Sequence, residues 1–229
     1  MCPPGLRSMR TPGRSLLVFV FTLFISTLAV AEDAVVTAHS ETVPAGLADG
    51  VRAVLAAGGQ HVAAGTKTLD FWWVKTLPLA AGSSGVTWES VSEGTLVGAV
   101  RISANYPDIR GKTIKAGLYT LRYALQPENG DHLGVSPYRD FLLLSPAGVD
   151  TSAATLSHDD TVNLSKQALG ISHPATWSLD PPVAASAPST VYKNDSGFTG
   201  VVFQVPASRD GKDVGTLKFG LILVGSIQS

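Results

Sequence analysis

From His61 onward the apolar residues of this chain recur at every second position, and that period confines the fold to strands. Leu118 to Leu125 shows it most cleanly. Tyr119, Leu121, Tyr123 and Leu125 fall on one face, predicted to point inward, with Thr120 and Arg122 outward. Thr95 to Ser103 repeats the pattern, with Leu96, Gly98, Val100 and Ile102 opposite Arg101. His61 to Ala64 and Thr68 to Leu77 read as two strands around an Ala64-Gly65-Thr66-Lys67 turn. The second carries Phe71-Trp72-Trp73-Val74, aromatic on both faces, which suits a strand covered on both sides. Val35 to Thr37, Asp140 to Ser145, Ala175 to Leu179, Gly197 to Val205 and Leu217 to Val224 complete the set. About eight to ten short strands, separated by Gly, Pro, Asn and Asp turns, predict a mainly β fold. The architecture expected is an antiparallel β-sandwich (or barrel-like) single domain. One segment departs from this period. Leu47, Val51, Val54 and Leu55 share a helical face, and Gly58-Gly59 ends it, so one short N-terminal helix is expected. The last apolar run, Phe219 to Val224, predicts a central strand, and Pro181 to Pro188 an exposed loop.

The N-terminus has a different character. Arg7, Arg10 and Arg14 precede an apolar run from Ser15 to Leu28, and Ala29-Val30-Ala31 follows. This is the pattern of a secretory signal peptide cleaved between Ala31 and Glu32. The run is short of the ~20 apolar residues of a membrane-spanning helix. The expected organisation is therefore a signal peptide over 1–31 and one β-rich domain over 32–229, working in the periplasm or outside the cell. The single cysteine, Cys2, lies in the leader, so the domain has no disulfide, thiolate ligand or thiol nucleophile. Both methionines lie there too, which excludes a methionine-rich copper site. The leader also holds three of the 17 Lys and Arg residues and none of the 18 acidic ones, leaving 14 against 18 and a net charge of −4. With no basic stripe, nucleic acid and anionic membrane are not expected partners.

Three groups of residues are candidates for chemistry. Asn129 to Asp140 links two strands through a polar loop holding Asp131, His132 and Arg139. A carboxylate beside an imidazole suits a metal or a general base, while Asn-Gly-Asp is also ordinary turn chemistry in which Arg139 pairs with Asp131 or Asp140. Ser157-His158-Asp159-Asp160 and Ser172-His173-Pro174 add two imidazoles. His132, His158, His173 and Asp131 are thus a candidate metal set, with a solvated acidic turn and a histidine held before proline as the alternatives. No H-E-x-x-H or G-x-S-x-G motif assigns a reaction. The third group is aromatic. Trp72 or Trp73 offers a ligand-stacking face if one of the pair is exposed, since neighbours on a strand point to opposite faces. Asp108 to Lys112 reads as a charged turn with a local ion pair, and His39 and His61 as ordinary strand or loop residues. No cofactor is expected, the alternative being a divalent metal such as zinc or copper.

The run Gly117-Leu118-Tyr119-Thr120-Leu121-Arg122-Tyr123, continued by Gln126-Pro127-Glu128-Asn129-Gly130-Asp131-His132 and Arg139-Asp140-Phe141-Leu142-Leu143-Leu144, resembles a family of uncharacterised secreted bacterial proteins. Phe71-Trp72-Trp73-Val74-Lys75 and Ser172-His173-Pro174 share in it. The resemblance implies export in a Gram-negative-type bacterium and a single β-rich domain, and brings no reaction or site residues with it. The function expected is an exported binding module of the cell envelope, taking a small molecule, a glycan or a partner protein through Trp72, Trp73, Asp131, His132 and Arg139. The alternatives are a metal-binding protein or metalloenzyme using the 129–140 loop and the 157–174 region, or a purely structural envelope protein.

Overall fold

The computed structural model describes Met1 and residues 34–127, 138–181 and 187–225. Glu32–Ser229 forms one compact unit. Its elements are, in chain order, β1 (Val35–His39), α1 (Asp49–Val54), β2 (Gly59–Ala64), β3 (Lys67–Trp73), β4 (Leu77–Pro78), β5 (Leu96–Ile102), β6 (Tyr106–Pro107), β7 (Thr113–Ile114), β8 (Gly117–Leu125), β9 (Asp140–Pro146), α2 (His158–Leu169), β10 (Ala175–Asp180), β11 (Val191–Lys193), β12 (Thr199–Arg209) and β13 (Lys212–Val224). The fold is mainly β, as the period of two predicts. The C-terminal strand is internal: β13 lies between β10 and β12.

The strands form one large sheet in the order β1-β2-β3-β5-β8-β9-β10-β13-β12-β11, and β6 and β7 form a separate ribbon. Every pairing along that path is antiparallel. Position in the order is not position in space, because the sheet curls. Phe71 and Trp73 of β3 lie 5.0 and 4.9 Å from Phe203 of β12, and Trp73 lies 5.3 Å edge-on to Phe219 of β13. A short parallel pairing, Leu77 against Ala207, then stitches β4, the continuation of β3, to β12. The result is barrel-like. Large aromatic rings fill an interior that flatter aliphatic side chains would leave partly empty.

Trp72 and Trp73 do point to opposite faces, but both faces are covered. Trp73 is interior and stacks on Phe71 at 5.3 Å. Trp72 lies on the outer face under His39 and Arg101, and its Nε1 donates to the Glu41 carbonyl at 3.2 Å. Its exposure is 0% and that of Trp73 is 5%, so neither ring is available to stack on a ligand.

The outer face of β8 is a second departure. Thr120 and Arg122 point away from the interior, as alternation requires, yet both are fully buried. The chain after β9 crosses over them. Arg122 donates to both Asp150 oxygens at 2.7 and 2.8 Å and to the carbonyls of Gly94, Ser152 and Ala154. Alternation identifies which face a residue takes, not what lies on top of it.

The helices differ from expectation as well. α1 falls inside the predicted segment and buries Val51. α2 is additional: His158-Asp159-Asp160 opens a helix rather than forming a solvated turn. Ser157 caps it, its Oγ accepting from the Asp160 amide at 3.1 Å, and Gly170 ends it in the left-handed conformation at φ 67°. The buried positions Thr161, Ser165 and Ala168 recur at helical spacing and seat it on the outer face of β9 and β10. Ser165 makes the anchor. Its Oγ donates to the Leu144 carbonyl at 2.8 Å and accepts from the Ala175 amide at 3.0 Å.

Candidate functional site: a cleft beneath helix α2

A helix presents a different stripe every hundred degrees, so the residues beside the buried stripe of α2 line whatever gap it leaves. His158, Val162 and Lys166, spaced four apart, are that stripe, and they form one wall of a cleft of about 200 Å³. The floor is the outer face of the sheet, from Ala124 of β8, Phe141 and Leu143 of β9 and Thr176 of β10. Phe141, Leu143 and Ala124 belong to a small apolar cluster with Ile109 and Ile222, separate from the main core. Gln126 and Pro127 close one side, and Arg110 with Ser172, His173 and Pro174 another.

The walls are braced. Asp108 is 1% exposed, and its Oδ1 accepts from the amides of Arg110 and Lys112 at 2.9 and 2.8 Å. Its Oδ2 takes the Arg110 guanidinium at 2.6 Å, the local ion pair expected of that turn. The same guanidinium nitrogen donates to the Pro174 carbonyl at 2.5 Å, which ties the 108–112 turn to the 172–174 wall. At the other end His158 Nδ1 donates to Glu93 Oε1 at 3.1 Å, and that oxygen also accepts the Leu125 amide at 2.7 Å. Nδ1 is thereby committed to Glu93. His173 is exposed, with no partner among the described residues. Among the described residues Lys166 reaches Asn163 Oδ1, at 3.4 Å.

The residues singled out in the sequence distribute unevenly around this cleft. His158 and His173, far apart in the chain, both line it. Arg139 does not; it is exposed, and its guanidinium donates to the Gln126 carbonyl at 3.2 and 3.0 Å. Asp131 and His132 lie outside the described residues. Among the described residues no three His, Cys, Asp or Glu side chains converge on a point where a metal ion would sit. A second cavity, of about 240 Å³, lies beside Trp88, Asp140, Leu179 and Leu217. Trp88 stacks on Tyr123 at 4.9 Å, and the Tyr123 hydroxyl donates to Asp140 Oδ1 at 2.6 Å. Burial pushes the Tyr123 phenol far up from its ordinary range, and Asp140 adds to the effect, so it stays a neutral donor.

The sequence reading missed two features. Lys166 and Arg110 come to the cleft only because α2 forms and the 108–112 turn folds under it. The other is a row across the outer face of β2, β3 and β5, where His61, Asp70 and Arg101 are successive cross-strand neighbours. His61 Nδ1 lies 2.5 Å from Asp70 Oδ1, Arg101 Nε donates to Asp70 Oδ2 at 3.0 Å, and Arg101 also reaches Glu41 at 2.6 Å. Burial alone would raise the Asp70 pKa. The hydrogen bonds and charges of His61 and Arg101 outweigh it and hold the carboxyl below its ordinary value. The row clips the Glu41 segment over Trp72. The only signal for it in the sequence was the set of polar residues at equivalent strand positions, which becomes visible once the register is known.

No family model, curated protein or solved structure matches the chain. The cleft is therefore read from its own chemistry.

Proposed function

We propose that this protein is an exported binding module and that its ligand site is the cleft beneath α2. The observation that carries the reading is the cleft's composition. Apolar side chains from two strands, Ala124, Leu125, Phe141 and Leu143, and Val162 of the helix wall line it, and a few polar groups stand at the edge, the usual build of a small-molecule site. The walls come from segments held to one another by Ser165, Arg110 and Asp108, so the cavity is preformed rather than made on binding. Its volume suits a ligand with one compact apolar body, not a long polymer chain. No reaction is assigned: among the described residues the edge holds no nucleophile hydrogen-bonded to a base. Export rests on the N-terminal pattern of basic residues, apolar run and Ala-Val-Ala. Among the described residues no helix is long and apolar enough to cross a membrane.

Thermal unfolding with and without indole, octanol and octanoate tests the site. At least one should raise the melting temperature of the unaltered protein and have no effect on Val162→Trp, whose indole fills the cleft. A folded protein indifferent to all three contradicts the reading.

A second reading, metal binding, is favoured by one observation: His158 and His173 share the cleft. Zinc-induced stabilisation lost in His173→Ala would support it.

A further inference from the structure

The cleft's edge is one-sided in charge. Arg110, His158, Lys166 and His173 line it, and among the described residues no carboxylate does, Glu93 standing behind His158 and Leu125. Two of the four are already committed: Arg110 to Asp108 and His158 to Glu93. The other carboxylates of α2 sit elsewhere. Asp160 holds Ser157 and lies on the far side of the helix, beside Asn163 and Gln167, and Asp159 is exposed in the first turn. That leaves Lys166 and His173 as edge donors with little else to bind. Their two segments are joined in the chain packing. Ser165, one residue before Lys166, is bonded to Ala175, two residues after His173. His158 lies two turns of helix away, about 12 Å at 1.5 Å per residue.

Resting on the site proposed above, we infer that the ligand is an amphiphile with one anionic oxygen headgroup and a compact apolar body. The headgroup lies between Lys166 and His173. The body lies along Ala124, Phe141, Leu143 and Val162. Two features favour an anion over a neutral polar head. An ammonium hydrogen-bonded to a carboxylate gives a shorter and stronger contact than one to a neutral oxygen. A desolvated floor beside the ammonium also weakens the water that would otherwise screen it. The Lys166 ammonium and a His173 ring N–H are the donors offered to the headgroup.

The test compares octanoate, octanol and octylamine by titration calorimetry at one ionic strength. These probes share a tail and differ in the head. Octanoate should bind about tenfold or more tighter than octanol, and octylamine more weakly than either. Lys166→Ala should remove most of the octanoate advantage, weakening octanoate far more than octanol. Lys166 is a partly exposed residue with a single weak contact, so the variant folds, and its unfolding curve checks this. Equal binding of octanoate and octanol, both lost in Val162→Trp, would overturn the anionic headgroup and leave the binding site standing. An octanoate preference that survives both Lys166→Ala and His173→Ala would also overturn it. No binding of any probe to folded protein would overturn the site itself.

Discussion

Arg122 makes five hydrogen bonds and has no exposed surface. Its partner Asp150 is 1% exposed and also accepts the Thr120 hydroxyl at 2.5 Å. Such a pair adds little over a well-packed apolar substitute, but losing one member leaves a buried charge with no counterion. Asp150→Asn is therefore expected to destabilise the protein by about 3–5 kcal/mol. Denaturant unfolding measures it, and a loss under about 1 kcal/mol would mean that water reaches the site. Asp70 sets a pH dependence. Its folded pKa lies below the unfolded value, so the stability it contributes is present above about pH 4 and is lost as pH falls through the folded value. Unfolding followed from pH 6 to pH 2 should fall less steeply in Asp70→Asn than in the unaltered protein; parallel curves would contradict the assignment. These residues also mark a limit on reading single positions. The pattern of β8 places Arg122 on the face away from Tyr123, which is correct. Its burial follows from a crossing segment whose path depends on contacts made about thirty residues later. Trp72 fails as a ligand face for the same reason: a segment near Glu41 covers it.

At the scale of elements, the strands were legible and α2 was not. Strands announce themselves here through apolar residues at every second position, and their predicted bounds fall close to those of β2, β5, β8, β9 and β10, while β13 begins five residues before the expected Leu217. α2 lacks the corresponding signal because the positions it buries are Thr161, Ser165 and Ala168, small or polar residues that show no hydrophobic period. What stabilises it is hydrogen bonding of Ser165 into the sheet and capping at both ends. Ser157 followed by Asp160, and Gly170 at the end, were the readable marks. The functional cost of missing the helix was larger than its length suggests. Without it His158 and His173 are scattered histidines and Lys166 an ordinary surface charge. With it, a four-residue spacing puts His158, Val162 and Lys166 on one wall.

The unit Glu32–Ser229 is built on a curled antiparallel sheet, drawn together where β4 pairs with β12. That closure brings β3 against strands more than a hundred residues later, a pairing that no local pattern encodes. The class of fold was therefore readable and the strand order was not. Aromatic rings pack the inner face of the sheet. The cleft on the outside, under α2, is the ligand site in this account. The most direct test is nuclear magnetic resonance of the labelled protein titrated with octanoate. The account predicts shift changes concentrated at Leu143, Val162, Lys166, His173 and Thr176. Changes confined to Trp88, Leu179 and Leu217, or none at millimolar ligand, would contradict it.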